Sequence, residues 1–171
     1  MNKKILIFGG TGAIGFSIAK NLKDQGYNPI IIARNKEDLI SKSKEINCSY
    51  EICDVLEIDQ IKEIALKHSE NVVGLAYCVG SINLKPMKIT KDQDFIESFK
   101  INTLGAINAV KMNLQSLTDN NGSILFFSTI AVQQGFTNHS IVSSSKGAIE
   151  GLTLSLAAEF APKIKVNCIA P

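Results

Sequence analysis

The sequence predicts an α/β fold, a doubly wound parallel sheet with helices on both faces. Three observations carry that expectation. Short apolar runs alternate with longer segments of helical period from one end of the chain to the other. The resulting order, βαβαβαβαβαβ, requires right-handed crossovers, which lay helices over both faces of a parallel sheet. Four glycines, Gly9, Gly10, Gly12 and Gly15, crowd the junction between the first apolar run and the first helical segment.

Each element has its own warrant. "KILIF" (4–8) is a buried strand, apolar on both faces as parallel strands are. "AIGFSIAKNLKDQG" (13–26) has helical spacing and is stopped by Gly26. "PIIIA" (29–33) is the second strand, and "KEDLISKSKEI" (36–46) an amphipathic helix. "YEICDV" (50–55) is a strand, 57–69 a helix, and "VVGLAYCV" (72–79) the fourth strand. The loop "GSINLKPMKIT" ends at Thr90, a residue type suited to capping the next helix. That helix spans 91–117, long for a globular domain. Strand 122–128, helix 139–161 and strand 165–170 complete the series.

Bulk composition bounds the function. At 171 residues the chain suits one domain, 1–171, with enough material for a sizeable core. Hydrophobic residues at 45% and charged residues at 20% are ordinary globular values. A net charge of +2 provides no basic field to argue for nucleic acid. Cys48, Cys53, Cys78 and Cys168 form no CxxC pair and sit near no histidine cluster, which argues for reduced thiols and against zinc. The apolar run after "MNKK" stops at glycines, too short for a signal peptide, and no stretch is long enough to span a bilayer. A cytoplasmic protein is the expectation.

The glycine loop carries the first chemistry. Gly10, Gly12 and Gly15 read as GxGxxG, and Gly9, Gly12 and Gly15 as GxxGxxG, with Thr11 and Ile14 in the same turn. Glycine permits the tight turn, the close backbone approach and the helix–strand packing. The helix start then offers free N–H groups to a pyrophosphate. Strand before and helix after make this the dinucleotide loop of a Rossmann unit. At the end of the second strand Ala33 stands where an NAD-type site places an acid, and Arg34 follows. An arginine there pairs with a ribose 2′-phosphate, so NADP is preferred, with NAD the alternative.

Over its whole length the chain resembles the short-chain dehydrogenase/reductase family. Gly9, Thr11, Gly12, Ile14 and Gly15 match its cofactor loop. Asp54 and Val55 match its adenine-contacting pair, and Gly80 ends "YCVG", where the family has Asn-Asn-Ala-Gly. Asn102 in "FKINTLGAINAV" matches the asparagine of its long helix. Thr129 stands at the catalytic serine position, and Lys146 at the catalytic lysine. The resemblance implies hydride transfer between a nicotinamide and a small carbonyl or alcohol substrate. In it, lysine grips the nicotinamide ribose, the hydroxyl polarises the carbonyl and the asparagine organises a water relay.

The departures are equally specific. Phe8 replaces a threonine, Ala13 a glycine, and Tyr77 and Cys78 two asparagines. Thr129 retains a hydroxyl. Val142, four residues before Lys146, stands where the family has its proton-donating tyrosine. Three readings follow. His139, on the same helical side as Val142, Ser143 and Lys146, relays the proton. Or positioning and solvent suffice. Or the chain is a non-catalytic NADP(H)-binding sensor or scaffold subunit. Family members continue past the position of Pro171 with a further strand and a substrate-covering segment, so a C-terminal part is expected to be missing. Small and apolar residues on several faces of helices 91–117 and 139–161 point to a homodimer or homotetramer through them.

Overall fold

Strand β1 (Lys4–Phe8) lies at the centre of the computed structural model, which describes residues 3–171. Its alternate side chains enter two separate cores, as the two-residue period of a strand requires. Leu6 and Phe8 face one side with Ile30, Ile32 and Ile61. Ile5 and Ile7 face the other with Ala19, Ile31 and Leu39.

Around β1 run α1 (Ala13–Asp24), β2 (Asn28–Ala33), α2 (Lys36–Ile46), β3 (Ser49–Ile52), α3 (Ile58–Lys67) and β4 (Val72–Tyr77). Then come α4 (Asp92–Phe99), a π-helical turn (Lys100–Leu104), α5 (Gly105–Asp119) and β5 (Ser123–Phe127). The short α6 (Ala131–Gln134), α7 (Ser140–Phe160) and β6 (Lys165–Ile169) follow. The sheet order is β3-β2-β1-β4-β5-β6, and every pairing is parallel. Helices α1 and α2 pack over one face, and α3, α5 and α7 over the other. This is the doubly wound Rossmann arrangement expected from the alternation of periods. Its strand order reverses between β1 and β4, and the crevice for a ligand opens beyond the strand ends at that switch point.

Three local expectations are corrected. Strand β3 ends at Ile52 rather than at 55, because the Asp54 carboxylate accepts the Leu56 N–H (3.0 Å) and turns the chain out of the sheet. Thr90 does not cap α4. Its hydroxyl donates to the Met87 carbonyl (2.9 Å), closing a 3-10 turn over Met87–Ile89, while Asp94 reaches back to accept the Lys91 N–H (2.9 Å). The long helix is interrupted by the π turn at Lys100–Leu104.

That turn has a cause one layer down. Tyr77 is 2% exposed, and its hydroxyl donates to the Ile101 carbonyl (2.6 Å). Gly105 gives the phenol its room, since a Cβ there would collide with the Tyr77 hydroxyl. Among the described residues no helix is long and apolar enough to cross a membrane.

Candidate functional site

The loop after β1 is held by short backbone bonds. The N–H groups of Gly9 and Gly10 both donate to the Ile32 carbonyl (2.8 and 3.1 Å), and the Gly12 N–H to the Gly9 carbonyl (3.1 Å). Gly9 has φ +78°, and a Cβ on it would meet the Cys78 carbonyl carbon at 2.8 Å. A Cβ on Gly15 would run into the Gly9 carbonyl oxygen, so this glycine lets α1 start directly against the loop. Gly12 begins α1 without any capping side chain. The first-turn N–H groups, which have no partner within a helix, are therefore left for an anion.

Beyond the loop lies a cavity of about 710 Å³. Gly9, Thr11, Gly12, Arg34, Asp54, Val55 and Gly80 all line it, as the sequence predicts. Ile14 lines the neighbouring cavity instead, and Gly15 sits beneath the loop. Arg34 stands at the end of β2 with a side chain 75% exposed, 3.8 Å from the Asp54 carboxylate. So exposed a pair is weak and leaves the guanidinium available. The adjacent Asn35 side chain accepts the N–H groups of Glu37 and Asp38 (2.9 and 3.2 Å), which fixes the start of α2. Asp38 also lines the cavity, and the sequence reading missed it. An acid four residues beyond Arg34 on an amphipathic helix was the available signal.

A second cavity, about 310 Å³, lies beside the first, and Cys78–Ser81 lines both. Asn102, Thr129, His139, Val142 and Lys146 meet there. The structure thus brings all four sequence-predicted catalytic candidates to one space, together with the valine.

Asn102 is fully buried in the π turn. Its amide donates to the Ser98 carbonyl (3.0 Å), the Ser98 hydroxyl (3.1 Å) and the Ser81 carbonyl (3.3 Å), and its oxygen accepts the Ser81 N–H (3.3 Å). Ser98 and Ser145 hydroxyls lie 3.0 Å apart, and the Thr103 hydroxyl donates to the Ser145 carbonyl (3.0 Å). These bonds clamp the π turn to α7 one residue before Lys146. Ser81, Ser98, Thr103 and Ser145 were missed from sequence, because their role depends on two helices meeting.

Lys146 is partly buried, and its ammonium has no carboxylate or hydrogen-bond partner among the described residues. Burial lowers its pKa from the ordinary lysine value, against the opposing influence of Cys168 and Cys78. Gly80 makes room for it, since a Cβ there would lie 2.9 Å from the Asn102 amide oxygen and 3.4 Å from Lys146 Nζ. Thr129 accepts the Ala131 N–H (3.3 Å), keeping its own hydroxyl hydrogen free to donate. His139 Nδ1 lies 2.7 Å from the Thr137 carbonyl, and its ring meets Phe136 edge-on at 5.4 Å. Val142 is 3% exposed.

Other titratable groups nearby are unsuited to proton transfer near neutrality. Burial drives the Tyr77 phenol far above its usual range, and Tyr77 lines neither cavity. Burial also pushes the Cys78 thiol up to about 12 and the Cys53 thiol to about 11, so both stay neutral. All four cysteines are free, and the described residues hold no cluster of His, Cys, Asp or Glu fit for a metal ion.

Known proteins place this geometry in a family. The family model for short chain dehydrogenases matches residues 3–171. A carbonyl reductase family member 4 from Xenopus laevis is 30% identical over 177 residues, covering all of this chain and 75% of the relative. A human 3-oxoacyl-[acyl-carrier-protein] reductase is 30% identical over 179 residues with the same coverage. The crystal structure of a short chain dehydrogenase from Shigella flexneri superposes with a TM-score of 0.93 at 26% identity, covering 100% of this chain and 72% of that one. With the glycine loop, the switch-point crevice and a matched model over nearly every residue, the chain belongs to the short chain dehydrogenase family and is an NAD(P)-dependent oxidoreductase.

Proposed function

We propose that this chain, as one dinucleotide-binding domain over 1–171, reduces a small carbonyl substrate with NADP(H). One observation supports it above the rest: the glycine loop and Lys146 face two cavities that share the wall Cys78–Ser81. A single extended dinucleotide can therefore pass from the start of α1 to the foot of Lys146.

The residues present fit such a group. Gly9, Thr11, Gly12, Ile14 and Gly15 form the diphosphate cradle, from which a Cβ at Gly9 or Gly15 is barred. Asp54 and Val55 flank the adenine end. Arg34 takes the 2′-phosphate that distinguishes NADP, against the repulsion of Asp38 across the same cavity. Lys146 holds the nicotinamide ribose, Gly80 lets it approach, and Asn102 locks the π turn behind both. Thr129 donates to the carbonyl oxygen, stabilising the charge that develops there. His139 and Lys146 are the groups of the smaller cavity able to give up a proton. When bound, the reduced nicotinamide supplies the hydride.

Helix α4, the π turn and α7 leave Ile96, Phe99, Leu104 and Leu154 exposed. These apolar faces support a homodimer or homotetramer built through them.

The test is a calorimetric titration with NADPH and NADH, alongside loss of NADPH absorbance against a carbonyl panel. Tighter binding of NADPH and measurable turnover are expected. Binding of neither dinucleotide would refute the reading.

A further inference from the structure

Residue 142 cannot supply a proton, yet a carbonyl that accepts hydride must receive one. The smaller cavity is lined by Val142, Ser81, Thr129, His139 and Lys146, and by the wall that carries Cys78. The hydroxyls of Ser81 and Thr129 are hydrogen-bond donors but far too weak as acids to release a proton outright. His139 is held by Nδ1 at the Thr137 carbonyl and meets Phe136 edge-on, at the start of α7. Lys146 lies one turn beyond Val142 on the same helix, and its ammonium has no protein partner among the described residues.

We propose that Lys146 itself is the proton donor of this site, acting on the carbonyl oxygen directly or through one water in the space that Val142 leaves open. The proposal rests on the reductase reading above. The substrate carbon gains a hydride, and the carbonyl π pair moves onto oxygen. One N–H bond of Lys146 breaks as the O–H bond forms, and the neutral amine takes its proton back from solvent. An ammonium has three N–H bonds, so gripping a sugar hydroxyl with one leaves others to face the cavity.

The surroundings suit the task. Cys78, just after β4, and Cys168 on β6 are the ionisable groups that act on the ammonium, and burial raises the pKa of both thiols. Asn102 approaches from the π turn. Glu150, the acid one turn further along α7, is occupied by the Ser128 hydroxyl (2.5 Å) and forms no ion pair with Lys146. Burial makes the ammonium a stronger acid than a surface lysine, which brings it closer to a working proton donor.

The sign of the pH dependence follows. Reduction needs the protonated amine, so kcat/KM falls as pH rises through the depressed Lys146 pKa. Lys146→Arg keeps the charge but cannot release a proton in this range. With NADPH and 4-nitrobenzaldehyde, that variant is expected to lose about 100-fold or more in kcat, the range of general acid catalysis. Its Kd for NADPH should stay within about threefold and its alkaline fall should vanish. Val142→Tyr in the arginine background should restore part of the rate, about tenfold or more. A measurement without turnover accompanies these: acetic anhydride labelling across pH, read by mass spectrometry on the full chain. Lys146 should titrate below the exposed lysines and be protected by NADPH. The proposal is overturned if Lys146 titrates with the exposed lysines, or if NADPH binds without turnover. It is overturned too if the alkaline fall persists in Lys146→Arg but disappears in His139→Gln, which makes His139 the donor. Failure of wild-type protein to bind either dinucleotide refutes the reductase reading instead.

Discussion

Single residues divide the labour of the crevice. Arg34 is three-quarters exposed and loosely paired, so its guanidinium costs little to redirect toward a phosphate. Arg34→Asp is expected to reverse the preference between NADPH and NADH, measured as the ratio of the two Kd values. An unchanged ratio would separate Arg34 from cofactor choice. Gly15 is a stricter position, because a Cβ there meets the Gly9 carbonyl. Gly15→Ala should weaken both dinucleotides by at least about tenfold while circular dichroism stays native, since the strain falls on the loop that receives the diphosphate. Much of this was legible in the sequence: glycine spacing, Arg34, Asn102, Thr129 and Lys146 all reach the two cavities. Asp38 and Ser81 were not, because no local pattern marks a side chain that matters only through what folds opposite it.

At the level of elements, the least legible feature is the π turn inside the long helix. Its sequence, "KINTL", contains neither proline nor glycine to mark a break. The interruption is set from outside, by the Tyr77 hydroxyl at the Ile101 carbonyl and by the space at Gly105. Gly105→Ala should therefore destabilise the protein by about 1–3 kcal/mol in urea unfolding, the usual range for overpacking. Tyr77→Phe removes the partner of a helical carbonyl and should cost about 1 kcal/mol. A second tie binds the sheet edge. Glu51 on β3 pairs with Lys67 (2.8 Å) and His68 (2.7 Å) at the end of α3. Burial raises its pKa, but hydrogen bonds from those two residues outweigh it, leaving the carboxyl below its ordinary value. A depressed folded pKa contributes stability above the unfolded value and loses it as pH falls through the folded one. Wild type should thus be more stable than Glu51→Gln in urea unfolding at neutral pH, with the difference shrinking as pH falls through the depressed Glu51 pKa.

The molecule as a whole is governed by its switch point. The alternation of runs in the sequence was enough to predict the parallel sheet and the two helical layers, because burial on both faces leaves continuous apolar strands. It could not show that Val142, Thr129 and Asn102 share one cavity, since those residues come from α7, the end of β5 and the π turn. Association belongs to this scale as well. Leu154, 75% exposed on α7, is expected at an interface between copies. Leu154→Glu should shift the mass seen by light scattering to that of one chain without loss of secondary structure; an unchanged mass would remove α7 from the contact.

Cys78–Ser81 runs alongside both cavities, like a rail common to two adjoining rooms. Because this segment borders both spaces, a substitution in it reaches both halves of the proposed dinucleotide at once.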